Sequence, residues 1–343
     1  MSTGCGPDAE AVTRGLGFDC HDVAPVVSVR PPWALADWTM PLLEVLVIGG
    51  AVFALVQAVR RYRAGDPVNL TLWWASLVYL FVTEPPLYFP EWFGLDRQYG
   101  FIFAHNLFTV QFMGDRLPLY IVAFYPMFSQ LAYELVRSLG IFRRGALTGS
   151  VAVAFVCQVF YEVFDQLGPP LKWWAWNPAN TIVNHPALAS VPMTSMLLFA
   201  SVSMGALTYL VVRFAGRRRI AARSLLAGVL TPFAMVVAGF PASLAQGHPT
   251  AQAWILGGEL ALVWLVGGGI VATRRADPGE PVAAFARCYP ALYLGALAVF
   301  WVSALPVHDI PVESSLYALA CFAGAGLVLT ALYRVRRGAP AAA

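Results

Sequence analysis

Nine stretches of this chain are long and apolar enough to cross a bilayer, and they constrain the fold more than any motif does. A spanning helix takes about 20 predominantly apolar residues. Such runs lie near 39–59, 70–89, 118–136, 147–166, 190–212, 224–244, 252–272, 289–305 and 314–333. Hydrocarbon offers the backbone no hydrogen-bond partner, so segments of this kind must close their own bonds as helices. The expected fold is all-α: a polytopic membrane helix bundle of about nine transmembrane helices. Of the 343 residues, 59% are hydrophobic and 12% charged, against about 25% charged in soluble domains. The net charge of +3 is small, and the basic residues stand in short clusters between apolar runs. That pattern speaks for membrane orientation and against a nucleic-acid partner.

Arginine marks alternate connections. Arg60, Arg61 and Arg63 follow the first run, Arg143 and Arg144 the third, and Arg217, Arg218 and Arg219 the fifth. Arg274 and Arg275 follow the seventh run, and Arg334, Arg336 and Arg337 the last. The connections at 91–117, 168–189, 245–251 and 306–313 are nearly neutral or acidic. Cytoplasmic loops carry the basic excess, so the expected topology has the N-terminus outside and the C-terminus inside. The chain divides into an extracytoplasmic tail (1–38), the transmembrane bundle (39–335) and a cytoplasmic tail (336–343). Lys172 is the only lysine, and the bias to arginine and alanine fits a GC-rich bacterial genome. The expected location is therefore a bacterial plasma membrane. Cys5 and Cys20 share the outer tail, where they either pair as a disulfide or remain two thiols.

Carboxylates inside apolar runs need a reason, because each costs about 2.5–3.5 kcal/mol at a helix centre on insertion scales. Glu44, Glu84, Glu162, Asp165 and Glu259 all fall in the outer half under this topology, whereas Glu134 lies nearer the inner end, one turn before Arg137. The stretch YEVFDQLGPPLKWWAWNP, Tyr161 to Pro178, concentrates the pattern. Gln158, Glu162 and Asp165 share one helix face, Gly168-Pro169-Pro170 ends the helix, and Trp173, Trp174 and Trp176 follow where an interfacial aromatic belt belongs. Either these acids converge on one polar cavity open to the outer leaflet, or each caps a helix or binds water alone. The segment FIFAHNLFTVQFMGDRLPLY is too apolar for a solvated loop. It is expected in the interface or folded back as a short helix over the cavity mouth. His105, Asn106 and Gln111 are its polar points, and Asp115 with Arg116 is expected as a local ion pair.

The five histidines, His21, His105, His185, His248 and His308, lie in expected outer segments without helical ligand spacing, so no haem site is expected; surface or hydrogen-bonding roles are expected for them, with a metal site assembled from outer loops as the alternative. DDxxD, DxDD, Walker, GxSxG and HExxH motifs are absent. The outer segments also hold little lysine or arginine for a diphosphate. Gly267-Gly268-Gly269 and Gly324-Ala325-Gly326 fall in helices, where small residues serve close packing.

A carboxylic acid in an apolar, aromatic-walled pocket stays protonated near neutral pH. It can protonate an alkene while a second carboxylate takes a proton back or activates water, and aromatic faces steady the cation between. Glu84, the Gly114–Pro118 turn, Glu162 and Asp165 ahead of Trp174-x-Trp176, and then Val191-Pro192 stand in an order that resembles the membrane-bound carotenoid hydratases of bacteria and archaea. These bisanhydrobacterioruberin hydratase-like proteins add water to a terminal double bond of an acyclic carotenoid, and have relatives among membrane isoprenoid cyclases. The resemblance implies acid–base roles for Glu84, Glu162 and Asp165, and a pocket lined by Trp174 and Trp176. Gln158, Tyr161, Trp173, His105, Asn106, Tyr133 and Glu259 are further candidates for substrate contact. The expected activity is cofactor-independent hydration, cyclisation or isomerisation of an apolar, lipid-soluble isoprenoid. The alternatives are a proton-coupled transporter using Glu134, Glu162 and Glu259 as a relay, and a non-catalytic subunit of an envelope complex.

Overall fold

The computed structural model describes residues 5–274 and 282–337, the last three as backbone alone. The expected 336–343 tail and Arg275 therefore lie largely outside the described residues. Among the described residues, nine long helices follow a short amphipathic helix α1 (Pro7–Leu16): α2 (Thr39–Arg63), α3 (Val68–Tyr88), α4 (Leu119–Ser138), α5 (Ala146–Asp165), α6 (Met193–Phe214), α7 (Ile220–Leu244), α8 (Pro249–Ala272), α9 (Ala284–Ala304) and α10 (Val312–Arg337). Each expected run thus lies within or close to one helix. Eight of them are long and apolar enough to cross a membrane. The exception is α3, whose length of 21 residues suffices but which carries Asn69, Thr71, Ser76, Thr83 and Glu84. The chain forms a helical membrane bundle.

Breakers set the helix ends. Gly145 has φ +110°, in the region open to glycine, and turns the chain from the one-turn helix at Ile141–Arg144 into α5. Helices α4 and α5 form the centre: 83% and 72% of their spanning windows are buried, against 28% and 22% for α7 and α8. The outer pair shows Phe233, Val237, Trp254 and Leu265 to the surroundings, as lipid-facing helices should. Lipid tails are as apolar as leucine, so close packing must hold such helices together. Small residues supply it. A Cβ on Gly205 would lie 3.0 Å from the Ser150 carbonyl oxygen, and one on Gly324 3.0 Å from the Val159 side chain. Two helices carry a π turn, Leu198–Val202 in α6 and Val263–Gly267 in α8.

One end of the bundle is arginine-rich. Glu134, fully buried, accepts from Asn69 at 2.7 Å and lies 3.6 Å from Arg61, while Arg137 pairs with Asp66. Glu134 and Arg137 thus stand in one cluster that ties α2, α3 and α4 together. Tyr133 belongs to this cluster, 3.4 Å from Arg137.

The other end carries a cap that departs from an all-α fold. Seven short strands occur: β1 (Val27–Val29), β2 (Phe103–His105), β3 (Val110–Phe112), β4 (Leu117–Pro118), β5 (Trp174–Trp176), β6 (Ala187–Leu188) and β7 (Val191–Pro192). They form a β1-β3-β4 sheet and the antiparallel pairs β2-β5 and β6-β7. Helical turns at Pro90–Phe93 and Asp96–Tyr99 lead into the apolar 101–120 segment, which pairs as β2, β3 and β4 where a place in the interface or a short helix over the mouth was the expectation. The tail is folded too. Cys5 and Cys20 form a disulfide, and β1 lies in register with β3, Val27 opposite Phe112. Arg30 binds Asp115 at 2.7 Å and Gln111 at 3.0 Å, and Arg116 reaches Glu91 at 3.2 Å. Asp115 and Arg116, expected as a local pair, thus knit separate parts of the cap.

Candidate functional site

The cap and the helix ends beneath it enclose a cavity of about 520 Å³. Four stretches place the chemistry. The last turns of α3 bring Thr83, Glu84 and Tyr88; the middle of α4 brings Phe124 and Tyr125; the end of α5 brings Tyr161, Phe164 and Asp165; and β2-β5 lays His105, Trp174 and Trp176 across the top. Pairing of Phe103 with Trp176 and of His105 with Trp174 puts alternate side chains of both strands on one face. Gly168 lies under the Trp174 ring, where a Cβ would collide with it. This turn therefore lets the tryptophan fold back against α5.

The wall is aromatic. Phe124 sits 4.8 Å from Phe164 and 5.1 Å from Tyr161, and Phe164 5.0 Å from Trp174, centroid to centroid. Pairs of this kind contribute about 0.5–1.5 kcal/mol each beyond burial. On the side of α7, Pro232, Val236 and Phe240 complete the wall. Val236 is 69% exposed and Phe240 58%, so the cavity opens sideways between apolar side chains, toward lipid.

Within this apolar shell stand two buried carboxylates. Glu84 is 7% exposed and accepts a hydrogen bond from the Tyr125 hydroxyl. Asp165 is 3% exposed, and its Oδ2 has no protein partner. Thr83 Oγ1, Trp176 Nε1 and Asn184 Oδ1 are likewise buried without a protein partner, and all three residues line the cavity. Among the described residues, no lysine or arginine lines it. His105 bridges two tyrosines, with Tyr88 Oη 2.9 Å from Nε2 and Tyr120 Oη 3.3 Å from Nδ1. Burial lowers its pKa to about 3, so the imidazole is neutral at physiological pH.

The expected residues divide into two groups. Glu84, Asp165, Tyr161, Trp174, Trp176 and His105 share the cavity. Glu162 does not line it. That residue is fully buried on another side of α5, where it accepts from Gln166 at 3.3 Å and its Oε1 has no protein partner. Gln158 belongs to the same side: it donates to Tyr317 at 3.1 Å and accepts from Ser201. Trp173 is buried behind the wall, donating to Thr39 at 2.9 Å. Asn106 holds the cap through the carbonyl oxygens of Lys172 at 2.8 Å and Leu16 at 3.3 Å. Glu44 accepts from the Thr109 amide at 3.0 Å and from its hydroxyl, so it too fastens the cap. Tyr133 lies in the arginine-end cluster, and the half-exposed Glu259 on α8 is not a wall residue.

Tyr88, Tyr125, Phe124 and Asn184 join the site without having been expected. Tyr88 follows Glu84 by one helical turn, a spacing visible in the sequence; for Tyr125 and Asn184 no local signal exists. In the tail, Cys5, Asp19, Cys20 and His21 bring their ligand-type atoms within 4.8 Å of one another, with both sulfurs joined in the disulfide.

The fold and its apolar helices define a multi-pass membrane protein with a side-opening, carboxylate-bearing chamber at the capped end. No protein-family model matches the chain, and neither a curated protein nor a solved structure matches it significantly.

Proposed function

We propose that the protein is a cofactor-independent membrane enzyme that performs acid–base chemistry on an apolar isoprenoid of the carotenoid type: hydration, cyclisation or isomerisation. In this reading α3 is the ninth spanning helix, the capped end faces outward from a bacterial plasma membrane, and the C-terminus is inside. The observation that carries it is the meeting of Glu84 and Asp165, from different helices, on the wall of one aromatic chamber with a lipid-side opening. Ligand cavities run from about 300 to 1,000 Å³, so a chamber of 520 Å³ is ligand-sized. The lack of basic wall residues among those described favours a neutral ligand over a diphosphate. Asp165, with an oxygen free of protein partners, is the proton donor, and Glu84, oriented by Tyr125, is the acceptor. Tyr161, Trp174 and Trp176 present the π faces that attract a developing cation. Glu162 supports the helix from behind.

The test compares lipid extracts of a substrate-producing host expressing the wild type, Asp165→Asn, Glu84→Gln or Glu162→Gln, by mass spectrometry. Loss of product by about 100-fold or more is expected for the first two variants, with Glu162→Gln retaining most of it. Unchanged product with Asp165→Asn, at equal protein level, overturns the reading.

A second reading, proton-coupled transport, draws on Glu162. This buried acid and Gln158 lie beside two π turns, through Ser201 in α6 and, by way of Tyr317, Trp264 in α8. π turns recur at functional sites. Substrate uptake that collapses with the proton gradient and is abolished by Glu162→Gln decides for it.

A further inference from the structure

A second cavity, about 560 Å³, lies on the tail side of the cap. Its lining is far more polar and includes Thr13, His21, Glu91, Asp115 and Arg116. Tyr88, Phe103 and His105 line both this pocket and the chamber. One layer of side chains thus separates the two. The three rings pack at 5.1 to 5.8 Å, and the Tyr88–His105 hydrogen bond of 2.9 Å closes the layer.

The chamber needs such a neighbour. Thr83 Oγ1, Asp165 Oδ2, Trp176 Nε1 and Asn184 Oδ1 have no protein partner. A buried polar atom left so is destabilising, and a hydrocarbon substrate cannot satisfy it. Water can, given two to four polar contacts. The lipid-side opening, at Pro232, Val236 and Phe240, is apolar apart from Ser243, whose hydroxyl already donates to the Phe240 carbonyl at 2.7 Å. Glu84 stands one helical turn before Tyr88 on α3, and Tyr88 meets His105 at 2.9 Å, so the three polar side chains follow one another from the chamber into the ring layer.

We propose that the Tyr88–Phe103–His105 layer is a water gate: water enters the chamber from the tail-side pocket, and there exchanges protons with Glu84 and Asp165. The site then has two entrances of opposite chemistry, one apolar for the substrate and one polar for water. This rests on the chamber being the reactive site, but the route itself can be measured without any catalysis. The neutral imidazole of His105 suits the role, since it offers one donor and one acceptor and holds no fixed charge against a passing proton. The titratable and charged groups around it are Tyr88 and Tyr120 in contact, Glu84, Tyr125, Tyr161 and Asp165 on the chamber side, and His21, Glu91, Asp115 and Arg116 on the tail side.

The experiment places a thiol in the chamber by Thr83→Cys, after Cys157, Cys288 and Cys321 have been replaced and the Cys5–Cys20 disulfide kept. The protein in lipid nanodiscs is treated with a small cationic methanethiosulfonate, and the labelling rate is followed by mass spectrometry. Phe103→Ala, which thins the layer, is expected to raise the rate at least tenfold. Met113→Trp, which narrows the tail-side pocket, is expected to lower it severalfold, and Val236→Trp at the lipid-side opening to leave it unchanged. A rate insensitive to Phe103→Ala and Met113→Trp, or one slowed by Val236→Trp, overturns the proposal. Product loss in Asp165→Asn together with an insensitive rate would remove the gate and keep the enzyme; the converse would keep the gate and remove the enzyme.

Discussion

His105 makes the capped end acid-sensitive, and its contribution can be isolated. The side chain is 6% exposed, and burial lowers its pKa from 6.5 to about 3. Below pH 6.5 the unfolded chain binds a proton at this position that the folded protein refuses, so stability falls as pH drops and levels off near pH 3. Each pH unit in that window costs about 1.4 kcal/mol, or about 2.7 kcal/mol at pH 4.5 relative to neutral pH. His105→Gln keeps one donor and one acceptor between Tyr88 and Tyr120 and cannot titrate. Reversible unfolding in mixed micelles at pH 7.5 and pH 4.5 gives the stability of each protein. The difference between wild type and variant should move by about 2–3 kcal/mol against the wild type on acidification. Every other side chain is the same in the two proteins, so its contribution cancels in the difference. Parallel pH curves for the two proteins would refute the buried neutral imidazole.

Two further outcomes follow from the cap. Gly168→Ala puts a methyl group into the Trp174 ring, and such overpacking costs about 1–3 kcal/mol; a lower melting temperature and altered tryptophan fluorescence are expected, and unaltered fluorescence would mean that Trp174 does not rest on this glycine. Cys5→Ser with Cys20→Ser opens a loop of sequence separation 15, worth about 3 kcal/mol in the chain-entropy account. Limited proteolysis between Gly17 and Val26 should speed up at unchanged helix content by circular dichroism, and equal cleavage rates would deny the disulfide a role in holding the tail.

The helices were legible because the bilayer makes one demand throughout. Expected and observed limits differ by five residues at most, the largest gap being at Ala284, where α9 starts before the run at 289. The cap was not legible. Strands of two or three residues such as Phe103–His105 are too short to show an alternating period, and the partner of β2 lies about 70 residues on, at Trp174–Trp176. The docking of the tail leaves no mark in the sequence because it depends on contacts between distant residues, Arg30 with Asp115 and Val27 with Phe112.

The site was half legible, and the reason is angular. Acids in apolar helices announce themselves by cost, and from that alone Glu84 and Asp165 could be assigned to the same end. Sharing a chamber is a finer property. At about 100° per residue, Asp165 lies about 60° around α5 from Glu162, and Tyr161 about 100° on the same side. Tyr161, Phe164 and Asp165 consequently turn to α3, α4 and the cap, while Gln158, Glu162 and Gln166 turn to α6 and α10. One face in the sequence thus divides between two neighbourhoods, because a boundary between neighbouring helices falls within it. Helical spacing identifies which acids are adjacent, but only the packing of a third helix decides which of them meet a common space. Tyr125 carries no such signal. Its hydroxyl orients Glu84 from across the helix interface, and nothing within its own stretch of α4 distinguishes it from the tyrosines at 120 and 133.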